Sequence, residues 1–150
     1  MKKLIVFIIL LILPLALVSC NSGEKDLVLT VKRFESALKK IPDHWNYKGL
    51  MSNDKIVLLN TKTEAAGGNG TASVAAQANH FLDNSGYSTD GYMIVIKWGS
   101  SQDAKLFEKV YKDIDEFSDY RIRVYGDHTV LATFDSFYED LETYLKENPV

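Results

Sequence analysis

Three histidines stand beside or near carboxylates, and they are the residues best suited to acid–base or metal chemistry: His44 with Asp43, His80 with Asp83, and His128 with Asp127. On a helix, His80 and Asp83 share one face at a spacing of three and could hold one edge of a divalent cation. Catalytic zinc takes three protein ligands, so the pair alone makes no site, and a partly exposed histidine near a helix end is the ordinary reading. His128, Asp127 and Ser136 supply the residue types of a base, its orienter and a nucleophile. Neighbouring residues of a strand point to opposite faces, however, which separates such a set. The sequence therefore assigns no catalytic residue, no metal site and no cofactor, and the expectation is a protein that is not an enzyme.

Gly67-Gly68-Asn69-Gly70 ahead of a helical pattern invites an anion-cradling loop. It lacks the Lys-Ser or Lys-Thr ending of a nucleotide-binding loop, so a surface loop is the expectation. Acidic runs such as Asp113-Asp115-Glu116 and Glu139-Asp140-Glu142 read as solvated helix faces. The stretch Asp43-His44-Trp45-Asn46-Tyr47 differs from these, with Tyr87 and Tyr92 in a loop and at a strand start. Aromatics among polar neighbours give large contact area at low entropic cost, which is what binding surfaces use. His44, Trp45, Tyr47 and Tyr87 are accordingly the candidate ligand- or partner-binding residues. The competing reading makes Trp45 a lid over the sheet core.

The elements that must position these residues follow from periodicity. Leu27, Val31, Phe34, Leu38 and Ile41 predict a helix from about Asp26 to Ile41, stopped by Pro42. Residues 43–54 read as a connector, Lys55–Thr61 as a strand, and Thr71 or Ser73 to Leu82 as a short helix. Tyr92–Trp98 is a strand. Behind Ser100 and Asp103, which resemble a capping box, Phe107, Val110, Tyr111, Ile114 and Phe117 form a helical stripe. Arg121–Phe134 predicts a hairpin around Gly126-Asp127-His128, with the loop length open between two and three residues. A last helix begins at Asp135 or Ser136 and ends near Pro149. This order predicts an α/β (α+β) fold, a single two-layer sandwich of about four strands with helices packed on the sheet.

The N-terminus carries a separate message. Met1-Lys2-Lys3 is positive, Leu4–Leu13 is unbroken apolar sequence, and Leu17-Val18-Ser19-Cys20 closes the segment. The apolar run is short for a membrane span and contains Pro14. Leu17, Val18, Ser19 and Cys20 resemble the lipobox of bacterial lipoproteins, which implies cleavage before Cys20 and attachment of diacylglycerol to its thiol. Several acyl chains together make a lasting anchor. The expected organisation is a signal peptide at 1–19, a lipidated tether at 20–26 and one globular domain at 27–150.

Cys20 is the only cysteine, so the mature chain has neither an intrachain disulfide nor a cysteine-rich zinc site. Of the 17 basic residues, Lys2 and Lys3 leave with the signal, so 15 stand against 20 acidic ones and the net charge becomes −5. A mildly acidic surface argues against nucleic acid as a partner. The expected location is the cell envelope, outside the cytoplasm and lipid-anchored to a membrane. The expected function is a non-catalytic soluble domain binding a protein partner or small ligand there. The alternatives are an accessory subunit of an envelope assembly, marked by an exposed Leu27–Ile41 stripe, and a small hydrolase or metal-dependent enzyme.

Overall fold

The computed structural model describes residues 27–41, 45–81 and 89–150. Among these residues five antiparallel strands form one sheet, β1 (Trp45–Leu50), β2 (Val74–Phe81), β3 (Thr89–Lys97), β4 (Arg121–Tyr125) and β5 (His128–Ala132), in the order β1-β2-β3-β5-β4. Among the described residues four helices pack on it: α1 (Val31–Leu38), α2 (Asn53–Ala65), α3 (Ser101–Val110) and α4 (Ser136–Glu147). The α+β class is as the sequence implies.

Helices cover both faces of the sheet, making three layers where two were expected. One core joins Phe34, Ala37 and Leu38 of α1 and Tyr138, Leu141 and Leu145 of α4 to Ala76, Ala78, Met93, Val95 and Val130. The other joins Leu59 of α2 and Ala104 and Phe107 of α3 to Ala75, Ile94, Ile96 and Leu131, with Trp98 between. Alternate residues of β3 therefore enter opposite cores, and a continuous apolar run such as Met93–Ile96 is what a strand buried on both faces requires. The alanines of β2 are small because helical layers approach it from both sides.

Four elements depart from the pattern reading. Lys55–Thr61 is the middle of helix α2, not a strand, because a short apolar run has no decisive period of its own. Its helical end signal lies downstream: Gly67, at φ 91°, donates its N–H to Glu64 and Gly68 donates to Thr63, closing the C-terminal turn. The segment after Thr71 is strand β2, not a helix, since cross-strand pairing with both β1 and β3 outweighs alanine's helical preference. The expected connector contains β1, whose inward and outward residues alternate. The stripe beginning at Phe107 leaves the α-helix at Val110 and continues through two 3-10 turns that still deliver Tyr111, Ile114 and Phe117 to the core.

The first helix is shorter than expected, capped by the Thr30 hydroxyl, which accepts from the Arg33 amide. Its stripe is internal: Leu29, Phe34, Ala37 and Leu38 are buried, and Leu27, Val31 and Ile41 pack against them. The β4–β5 hairpin closes through a two-residue Gly126-Asp127 turn, so Leu131 faces Ile122 and Val130 faces Arg123. Among the described residues no helix is long and apolar enough to cross a membrane.

Candidate functional site

Strand pairing brings Trp45 and His80 directly opposite each other at one end of the sheet. Their rings meet edge-on at 5.0 Å, and both contact Phe137 in the first turn of α4, at 4.5 Å from Trp45 and 5.1 Å from His80. Phe134, which is 46% exposed, extends the group at 5.5 Å from Phe137. His80 Nδ1 and Asp90 Oδ1 are 2.5 Å apart, a hydrogen bond that orients the imidazole. Gly91, opposite His80, admits the Phe137 ring, since a Cβ there would sit 2.5 Å from its Cε2. The result is a half-buried aromatic end, part core and part surface.

Of the candidate binding residues, Trp45 lies at this end, half-buried and packed against the α1–α4 core, as the lid reading expects. Tyr47 lies two residues along the same face, half-buried; burial, with the nearby Glu35 carboxylate, pushes its phenol up. His44, Tyr87 and Cys20 lie outside the described residues, as do Asp43 and Asp83. The helical premise of the His80–Asp83 pair fails, because His80 is on strand β2. Asp90, Phe134 and Phe137 were not singled out in the sequence. They are distant from Trp45 along the chain, and only the strand order reveals them.

His128 starts β5 at the opposite end of the sheet and is 4% exposed. Asp127 Oδ1 lies 2.7 Å from its Nδ1 but off the ring N–H direction, leaving that nitrogen buried without an aligned hydrogen bond. Burial, reinforced by the Lys97 ammonium, pulls the imidazole pKa down to about 4. Lys97 itself pairs with the Asp127 carboxylate. Ser136 follows the far end of β5, which at about 3.3 Å per residue is roughly 13 Å or more from His128, so the two cannot act together.

The glycine-rich loop precedes strand β2, and the amides of Gly67, Gly68 and Asn69 are already engaged. Asp103, fully buried, accepts from the amides of Asn69 and Thr71 and from the Thr71 hydroxyl at 2.5 Å. Burial alone would raise this carboxyl, but those three donors hold it below the usual carboxylate range. The Ser100 hydroxyl accepts from the Asp103 amide as a capping residue should, while the Asp103 side chain serves the loop instead of completing a capping box.

A third polar group sits between α4 and the hairpin. Glu142 accepts from Arg123 at 2.7 Å and from the Tyr125 hydroxyl at 2.8 Å, and the Arg123 guanidinium stacks over Tyr138. Burial works against the Glu142 charge, but the Tyr125 and Arg123 hydrogen bonds outweigh it and lower its pKa. This arrangement docks α4 on β4. No group of three or more histidine, cysteine, aspartate or glutamate side chains among the described residues is placed to hold a metal ion. No known protein family, curated protein or solved structure matches the chain.

Proposed function

We propose that this chain is a lipid-anchored protein of the cell envelope whose globular part, residues 27–150, is a non-catalytic module that binds a protein partner or small ligand. The observation that carries the reading is the N-terminal pattern: a charged start, an apolar run, then Leu17-Val18-Ser19-Cys20. These residues precede the described part of the chain, and the reading of them rests on the sequence.

The geometry of the domain supports a module displayed outward. Arg33 donates to the carbonyls of Val28, Leu145 and Asn148, tying the point where the chain enters the domain to the C-terminal end of α4. The Trp45–His80–Phe137 group is at the other end of α4, and the eight residues from Phe137 to Leu145 rise about 12 Å. A domain tethered at Leu27 would hold its aromatic end away from the bilayer. Phe134 and Trp45 are the contact residues of this proposal, with His80 oriented by Asp90 beside them. The stripe that would favour an assembly subunit, Leu27 to Ile41, is internal and lends that alternative no support.

The test is Cys20→Ser in the producing cell. The variant should lose incorporation of labelled palmitate and leave the membrane fraction. Labelling and membrane retention equal to wild type would remove the proposal.

A further inference from the structure

Among the described residues, α2 and α3 cover only part of the sheet face beneath them. The two helices lie over Ala75, Ile94, Ile96 and Leu131, all buried. Beyond them Asn46 of β1, Asn79 of β2 and Tyr92 of β3 form one cross-strand row, each directly opposite the next. Gln77 stands beside that row on the same face, its amide 3.5 Å from Asn79 Oδ1. Asn46 is exposed, Tyr92 is 36% exposed, and Gln77 and Asn79 are half-buried. Strands lie about 4.8 Å apart, so the row is about 10 Å long.

Two features set this row apart from an ordinary solvated face. Asparagine is depleted in strands, and solubility alone would be met at lower cost by threonine; here two asparagines oppose each other within paired strands. A quarter of the chain is charged, yet all four of these side chains are neutral, and the nearby Lys48 ammonium lies over the Phe81 ring. Where a local rule is broken without a packing gain, a functional or strained site is the expectation.

We infer that this face binds a neutral N-acetylated glycan chain. Each carboxamide presents a carbonyl acceptor and an N–H donor, the complement of a sugar acetamido group, which offers one N–H and one carbonyl. Hydroxyls of the same chain can pair with the remaining amide groups. The Tyr92 ring supplies a flat apolar surface for the C–H face of a sugar ring. The row has the length of a disaccharide and carries no charge to select an anion. The inference goes beyond the anchored-module proposal and stands whether or not Cys20 carries lipid.

The test is calorimetric titration of the purified full-length protein in detergent with chitotetraose, and with cellotetraose, which lacks acetamido groups. Chitotetraose should bind saturably and about tenfold more tightly than cellotetraose, the worth of one or two hydrogen bonds. Asn46→Thr with Asn79→Thr should weaken chitotetraose binding by about tenfold while the thermal midpoint holds or rises, because threonine suits a strand better. Tyr92→Phe should retain binding and Tyr92→Ala should lose it, which decides the matter even if the asparagine variant folds poorly. Absence of saturable binding, equal affinity for the two sugars, or unchanged affinity in both the asparagine variant and Tyr92→Ala would overturn the inference.

Discussion

Acidification should destabilise this protein through His128 before its carboxylates contribute. The side chain is 4% exposed, and its folded pKa is about 4 against 6.5 for the unfolded residue. A histidine with a depressed folded pKa contributes stability that is present above the unfolded value and is lost as pH falls towards the folded one. Between pH 7 and pH 5 the unfolded chain takes up most of a proton here while the folded chain takes up almost none. At about 1.4 kcal/mol per unit of unmatched protonation, the loss over that interval is about 2 kcal/mol. Asp103 and Glu142 have lowered pKa values, so their contributions are lost as pH falls through the ordinary carboxylate range and below it, and the window above pH 5 belongs to histidine. The assay is urea unfolding of wild type and His128→Gln at both pH values, which cancels His44 and His80. With a slope of about 2 kcal/mol per molar, the wild-type midpoint should fall about 1 M further than that of the variant. Midpoints that fall in parallel would refute the assignment of a buried, neutral His128.

Two further perturbations test the positions of other groups. Asp103→Asn keeps the shape but turns an amide donor towards the donors of Asn69 and Thr71, so urea unfolding at pH 7 should show a loss of about 2 kcal/mol. That loss should shrink below the carboxylate range, where the wild-type acid itself becomes protonated. Gly91→Ala would press a Cβ against Phe137 and Thr133 and should cost about 1–3 kcal/mol, with altered ring resonances for Trp45 and Phe137 by NMR.

What could be read from the residues divides along a physical line. Helix α3 and the β4–β5 hairpin carry their signals locally, as a Ser100 cap, an amphipathic stripe and a Gly-Asp turn; the hairpin forms where the pattern puts it, and α3 starts where it does but gives way to 3-10 turns after Val110. Lys55–Thr61 and Val74–Phe81 exchanged types because neither has a local period that decides. In the first, the Gly67-Gly68 terminator belonged to the helix before it and was legible only as a loop. In the second, burial from both sides selected small residues that mimic a helical composition. Trp45 and Tyr47 stood out as aromatics among polar neighbours, and Trp45 does reach a partly exposed end. Its companions Phe137 and Asp90 were hidden because cross-strand pairing joins positions far apart in sequence. The amide row was hidden for the same reason, since Asn46, Asn79 and Tyr92 become neighbours only in the order β1-β2-β3.

The central claim is the anchor, and the most direct measurement is the mass of the N-terminal tryptic peptide of the native protein. The account predicts that this peptide is Cys20–Lys25, beginning at Cys20 and carrying a diacylglycerol thioether that alkaline hydrolysis strips of its ester-linked acyl chains. A peptide in which Cys20 has a free thiol, or one continuous with residues before Cys20, would contradict it.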